Sequence, residues 1–235
     1  MKLGIIAAME QEIRLLKNQL KNQRETIVAN LTFFEGEIGS TSVVMVQSGI
    51  GKVNAAIAAT LLITFFEADT VINTGSAGGI GENLKVGDLV LSTELSYNDA
   101  DARAFGYAFG QIPQMPERFT ADEDSLSILK QAALESNWTV RHGLIVTGDS
   151  FISDKNAIRE IKAHFSDAMV TEMEGTAVAQ TCFQFKVPFV VVRAVSDVAD
   201  EEASLSFNEF IELAGRKSAE MVLRFIELKS AGSVS

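Results

Sequence analysis

Proline, cysteine, histidine and positive charge are all in short supply. With three prolines in 235 residues and no Ser/Gly-rich or single-charge run, no segment reads as an interdomain linker. The chain is therefore expected to form one domain over residues 1–229, with a short flexible tail over 230–235. The single cysteine, Cys182, excludes a disulfide framework. His142 and His164 stand far apart, so no Cys/His metal cluster is expected, and no metal or cofactor is called for. Basic residues number 20 against 31 acidic ones, for a formal net charge of −11. That balance argues against nucleic acid, where cations must neutralise phosphates, and against an anionic membrane surface. A neutral or zwitterionic small molecule remains compatible. Long apolar runs are also missing. The stretch Leu3–Ala8 is too short to span a bilayer, and Glu10 and Glu12 follow at once. It also lacks the layout of a secretory signal, which leaves the cytoplasm as the expected compartment.

What the chain does contain is apolar periodicity. Hydrophobic residues make up 47% and charged residues 22%, a composition that supports a sizeable core. Strand-like and helix-like segments alternate: Leu3–Ala8 reads as a buried strand and Glu10–Gln23 as a helix with Ile13, Leu16 and Leu20 on one face. Leu31–Glu37 and Thr41–Ser48 read as a hairpin about Gly39-Ser40. Helices are expected over Val53–Phe66, Asp122–Glu135, Asp154–Phe165, Gly175–Phe185 and Leu205–Leu228. Strands are expected over Thr70–Thr74 (entering a glycine-rich loop), Val86–Ser92, Thr139–Thr147, Met169–Thr171 and Phe189–Val195. This alternation predicts an α/β fold, a single-domain three-layer α/β/α sandwich, and the hairpin predicts a mixed central β-sheet. Asn98–Thr120 breaks the rhythm as a long connection carrying Phe105, Tyr107, Phe109, Pro113, Met115, Pro116 and Phe119. Such an apolar loop packs over a ligand pocket, against another subunit, or onto a small satellite core.

Ligands of open α/β sheets bind beyond the carboxyl ends of strands. Those positions carry Met9-Glu10-Gln11-Glu12, Gly75-Ser76-Ala77-Gly78-Gly79, Glu172-Met173-Glu174 and Arg193-Ala194-Val195-Ser196-Asp197. Taken singly, each acid has an ordinary reading: helix N-termini stabilise carboxylates, and Arg193 could simply pair with a nearby Glu. Together, Glu12, Glu174 and Asp197 with one arginine suit a reaction that builds positive charge on its substrate. Other motifs are weak. Gly49-Ile50-Gly51-Lys52-Val53-Asn54 resembles a dinucleotide fingerprint, but Asn54 stands where its third glycine belongs. Ser76 lacks a Gly-x-Ser-x-Gly frame, because Thr74 takes the first glycine position.

Read as one pattern, these segments resemble the signatures of the nucleoside phosphorylase/hydrolase superfamily. Ala7-Ala8-Met9-Glu10-Gln11-Glu12 and Asp149-Ser150-Phe151-Ile152 narrow the resemblance to the methylthioadenosine/S-adenosylhomocysteine nucleosidases. It runs from Met1 to about Leu228. It implies a nucleoside phosphorylase-like fold and a role for each matching residue. Phe151 would stack on adenine and the Ile152 backbone would read its edge. Asp197 would bond N6 and N7 and act as general acid. Glu174 would hold the ribose hydroxyls, with Met173 against the sugar. Glu12 would be the base for the attacking water, which Ser76 and Arg193 would help position. Met9, Ile50 and Phe207 would line an apolar 5′-thio pocket, completed across a homodimer interface by Phe105, Tyr107 and Pro113. Ala77, Gly78, Glu172 and Ser196 complete the implied substrate-binding set. One departure is Gly175, where the family more often has Ala; glycine should loosen that helix start by up to about 1 kcal/mol.

The chemistry agrees with this assignment. Adenine leaves poorly as an anion, and protonation at N7 lets it depart neutral while the ribosyl carbon becomes oxocarbenium-like, a contribution of roughly 10²–10⁴-fold. A phosphorylase is the rival. It would need cationic groups for phosphate, and the arginine such enzymes carry before the Gly-Ser is replaced here by Asn73 and Thr74. Arg14 and Arg193 keep that rival open. A non-catalytic adenine-nucleoside binding domain is a third reading, but it would have no need of Glu12 and Asp197 together.

Overall fold

The computed structural model describes residues 2–198 and 203–232, with backbone alone for 203–206 and 232. Strand β1 (Lys2–Ala7) leads into helix α1 (Glu10–Gln19), then a three-strand meander of β2 (Lys21–Val28), β3 (Leu31–Ile38) and β4 (Thr41–Gln47). Helix α2 (Lys52–Thr64) precedes β5 (Thr70–Gly79) and β6 (Leu89–Tyr97). After the long connection come β7 (Phe119–Thr120), α3 (Glu123–Leu134), β8 (Val140–Thr147), α4 (Lys155–His164) and β9 (Ala168–Glu172). The chain ends with α5 (Gly175–Phe185), β10 (Phe189–Asp197) and α6 (Ala203–Gly232).

All ten strands join one mixed sheet in the order β10-β6-β8-β9-β5-β1-β4-β3-β2, with β7 added to β6 and β10 also paired to β5. That last pairing closes β5, β10, β6, β8 and β9 into a ring of hydrogen-bonded strands. The β1–β4, β1–β5, β5–β10, β6–β8 and β8–β9 pairs are parallel, and the other pairs are antiparallel. Helices α1 and α3 pack on α6, and α2 packs on α5, so the sheet is covered by helical layers. Strands covered on both faces are mostly apolar; every residue of β10 is buried, and it is apolar from Phe189 to Val192 before Arg193 interrupts the run. No described helix is long and apolar enough to cross a membrane.

Three expectations need correction. The helix expected to reach Gln23 stops at Gln19, and Lys21–Val28 is an edge strand antiparallel to β3. Its first five residues are exposed, so they carry no apolar alternation to betray it. The glycine-rich segment after Thr74 is no loop; it continues β5 to Gly79, paired with β10 and β9. The flexible tail expected over 230–235 is helical at its start, since α6 runs through Gly232 and the Ser230 hydroxyl lies 2.8 Å from that of Thr41; residues 233–235 lie outside the described residues. The long connection is partly a satellite core. Phe109 packs with Leu144, Val146, Ile161, Phe165 and Ala168 and stacks on the His164 ring at 3.9 Å.

Helix α6 fixes where α1 sits. At Gly215, a Cβ would fall 2.6 Å from the carbonyl oxygen of Gln11 and 3.2 Å from Cα of Glu12. Helix propensity alone would make Gly215→Ala stabilising by about 1 kcal/mol. The backbone contact reverses the sign, because overpacking against main chain costs about 1–3 kcal/mol. Thermal denaturation should show a lower Tm for G215A; a Tm at or above that of the wild type would contradict the close approach.

Candidate active site

Register within the ring of strands assembles the site. Parallel pairing of β10 with β5 sets Arg193 beside Gly75, Ala194 beside Ser76 and Asp197 beside Gly78. On the other flank of β5, Gly78 pairs with Thr171 of β9, one residue before Glu172. Helix α1 begins directly after β1 and delivers Glu12 to the same place as its third residue.

Glu12 is 3% exposed. Its Oε2 accepts the backbone N–H groups of Ala8 and Met9, both at 3.0 Å, the latter being one half of a capping box. Its Oε1 accepts the Ser76 N–H at 2.8 Å and the Ser76 hydroxyl at 2.9 Å. The carboxylate is thus pinned by four donors from two elements. Gly75 is necessary beneath it, since a Cβ there would lie 2.7 Å from Glu12 Oε1 and 2.8 Å from Arg193 Nη1.

Arg193 is the buried cation of the site, 1% exposed. Its Nη2 donates to Asn73 Oδ1 at 2.6 Å and to Glu172 Oε2, and lies 3.6 Å from Glu174 Oε2. Burial alone would depress the guanidinium pKa, but the carboxylates of Glu172, Glu174 and Glu12 outweigh it and hold it above the usual arginine range. Glu172 is structural as much as electrostatic. It accepts the N–H groups of Glu174 (3.0 Å) and Gly175 (2.7 Å) at the start of α5, and the Thr147 hydroxyl donates to its other oxygen. Glycine at 175 suits this arrangement, because a Cβ there would meet Leu95 Cδ2 at 2.9 Å and the Glu172 carboxylate at 3.1 Å. Glu174 Oε1 accepts the Gly51 N–H at 2.9 Å. Burial, with Glu172 nearby, pushes the Glu174 carboxyl up to about 8, against the downward pull of Arg193 and the Gly51 N–H.

These groups edge a cavity of about 430 Å³ lined by residues from α1, β5, β9, β10 and α6 and from the turns before α1, α2, α4 and α5. Of the residues expected at the site, Met9, Glu12, Ile50, Ser76, Ala77 and Gly78 line it. So do Phe151, Ile152, Glu172, Met173, Glu174, Ser196, Asp197 and Phe207. The Ser196 hydroxyl lies 2.8 Å from Asp197 Oδ2, and Asp197 is 1% exposed. Phe151 and Phe207 meet edge to face at 5.7 Å. Arg193 does not line the cavity; it stands behind Glu172 and Glu174. Phe105, Tyr107 and Pro113 are not at the cavity within one chain, and Phe105 is 82% exposed. Among the described residues, no group of three or more His, Cys, Asp or Glu is arranged to hold a metal ion.

Comparison with known proteins gives the family. Residues 2–227 match the model of the phosphorylase superfamily. A 5′-methylthioadenosine/S-adenosylhomocysteine nucleosidase from an Exiguobacterium strain is 53% identical over 225 residues, covering 95% of this chain and 96% of that protein. The chain belongs to the methylthioadenosine/S-adenosylhomocysteine nucleosidases. Solved members of that family superpose closely. The Neisseria meningitidis nucleosidase, in complex with methylthio-immucillin-A, has a TM-score of 0.95 at 47% identity, with 96% of this chain and 98% of that chain covered. The Streptococcus pyogenes enzyme, with 5-methylthiotubericidin, has a TM-score of 0.95 at 42% identity, with coverages of 97% and 96%.

For a nucleosidase, the cavity includes four residues that sequence reasoning passed over: Ala8, Ser150, Thr171 and Asn208. Ala8, Ser150 and Asn208 each adjoin a named residue, so adjacency was a usable signal. Thr171 likewise adjoins Glu172, and the β5–β9 register sets it beside Gly78. The Glu174 carboxyl offers a check on the electrostatics. A carboxyl raised in the folded state binds its proton more tightly there than in the unfolded chain, so its contribution is fully present below the unfolded value and is lost as pH rises through the folded one. Wild-type Tm relative to the non-ionising Glu174→Gln variant should therefore fall between about pH 5 and pH 8; parallel Tm–pH curves would show that Glu174 is not raised.

Proposed function

We propose that this chain hydrolyses the N-glycosidic bond of 5′-methylthioadenosine and S-adenosylhomocysteine, and also of 5′-deoxyadenosine. The products are adenine and the 5′-substituted ribose, a reaction of methionine salvage and S-adenosylhomocysteine recycling in the cytoplasm. The observation that carries the reading is one cavity bounded by Glu12, fixed on four donors, and by Asp197, with two aromatic rings between turn and helix beside them. Adenine stacks on Phe151, and the Ile152 backbone reads its edge. Asp197 donates a proton to N7 as the C1′–N9 bond breaks, so the base leaves neutral. Glu174 accepts the ribose hydroxyls, and Met173 packs on the sugar. Glu12 takes a proton from the water that adds to C1′, with Ser76 helping to hold that water and Arg193 acting from behind the cavity through Glu172 and Glu174. Two carboxylates in opposed roles follow the logic of glycoside hydrolysis. Met9, Ile50 and Phe207 accept the thioether; no cofactor takes part.

Water rather than phosphate is favoured as nucleophile. Asn73 uses its amide to donate to the Ile6 carbonyl at 3.1 Å and its oxygen to accept Arg193. Arg14 is paired on the surface with Glu10 and Glu212. Arg193 is already engaged by two carboxylates, so a phosphate dianion would meet Glu12 with no uncommitted cation among the described residues lining the cavity. Adenine should be released from 5′-methylthioadenosine in phosphate-free buffer, with methylthioribose as the second product. Asp197→Asn and Glu12→Gln should each lower kcat by about 10²–10⁴-fold in a folded protein. Release that requires phosphate and yields a sugar phosphate would assign a phosphorylase. Near-normal turnover in either variant would remove that residue from its role.

The active unit we propose is a homodimer in which Phe105, Tyr107 and Pro113 of each chain complete the partner's 5′ pocket. Phe105 stands outward on a loop anchored by Phe109, and Val53, Ile57, Phe183 and Phe185 leave apolar area on α2 and α5. Light scattering should give twice the monomer mass; a monomer with full activity would exclude the shared pocket.

A further inference from the structure

The N-terminus of α2 is capped by side chains from distant segments. Its N-cap residue, Gly51, offers no side chain. The Gly51 N–H is taken by Glu174 and the Lys52 N–H by Asp149 Oδ1 at 2.9 Å. The Lys52 ammonium then closes a ring. Its Nζ donates to both oxygens of Asp99, at 2.9 and 2.7 Å, and lies 3.6 Å from Asp149 Oδ2. Asp99 in turn accepts the Asp149 N–H at 2.9 Å. The ammonium also lies over the Tyr97 ring, whose centroid is 5.3 Å from Nζ.

This ring ties the Ile50 turn to the loops that leave β6 and β8, two strands paired up to Tyr97 and Thr147. Asp149 is two residues before Phe151, Lys52 is two residues after Ile50, and Asp99 opens the long connection that carries Phe105. Phe151 and Ile152 follow the end of β8 and precede α4, so no ladder hydrogen bond fixes their height over the cavity. An isolated exposed ion pair contributes little, but this one is a network in which two carboxylates share a single cation and each also accepts a backbone N–H. We propose that Lys52 is a positioning residue, holding the Phe151–Ile152 segment against the Ile50 turn through Asp99 and Asp149. It thereby sets affinity for the adenine end of the substrate.

The inference rests on the proposed adenine-binding role of Phe151 and Ile152, and its test separates the two. Lys52→Met, Asp99→Asn and the double variant are compared with wild type for adenine release from 5′-methylthioadenosine and for binding of adenine itself. Asp99→Asn keeps an oxygen acceptor for the Asp149 N–H while losing the charge. Each single variant should raise KM and the adenine Kd together by about 10-fold, with kcat within about 3-fold. The double variant should be no worse than about 2-fold beyond the weaker single, as for two members of one network. A general loss of folding would lower the active fraction and Tm without moving KM, and that result overturns the proposal. Unchanged KM in both singles, or multiplicative effects in the double, overturns it as well. A wild-type enzyme that neither binds adenine nor releases it would remove the adenine reading and this inference with it. Asp149→Asn gives the same comparison should Lys52→Met not fold.

Discussion

A buried guanidinium with too many carboxylates around it is the constraint on which this site is built. Arg193 points from the middle of β10 into a region that also holds Glu12, Glu172 and Glu174. A charge removed from water is costly unless it is paired and hydrogen-bonded. Each partner therefore does a second task. Glu172 caps α5, Asn73 ties the guanidinium to β1 through Ile6, and Glu174 reaches across to the α2 turn. Removing one partner of such a set typically costs about 3–5 kcal/mol, because the remaining charges stay buried. The electrostatics that hold the strand ends together are also those presented to a ligand.

Glu12 shows how local and long-range structure combine. Its place as the third residue of α1 follows from the abrupt β1–α1 junction, and its bond to the Met9 N–H is purely local. Its orientation is not local, because Ser76 and the bare Cα of Gly75 lie 63 or more residues away along the chain. Preorganised donors of this kind hold a carboxylate where a reaction needs it without reorganisation. The apolar part of the cavity is a looser device, since contacts of Met9, Ile50 and Phe207 with small groups discriminate by only about 1–3 kcal/mol each. On the proposed function, the polar residues define the chemistry and the base, and the apolar ones define a range of 5′ substituents.

Much of this was legible in the sequence where periodicity and chemistry coincide. Strands β1 and β10 show as apolar runs because both faces are covered, and the polar residues ending β9 and β10 stand out against such runs. Gly75–Gly79 differs from the expected loop because glycine is a poor strand former on average, whereas Gly75 is required by the close approach of Glu12 and Arg193. The satellite core under Phe109 was one of the readings left open for the long connection, but which aromatic turns inward depends on His164 and Phe165, distant in sequence. The ring around Lys52 was not legible at all. Asp99, Asp149 and Lys52 are each ordinary surface charges until the fold brings their loops to one point.

Strand β2 was missed for the opposite reason, and its character has a consequence of its own. Because β10 bonds to both β5 and β6, one end of the sheet is closed, and β2 is left as the long open margin among the described residues. Its outer row of N–H and C=O groups could template another chain. Lys21, Arg24 and Glu25 are exposed along it, and its pairing slips between Lys21 and Arg24. Charge and irregular pairing both discourage strand addition. The polarity that hides β2 from pattern reading is thus what keeps a ten-stranded sheet from growing into its neighbours.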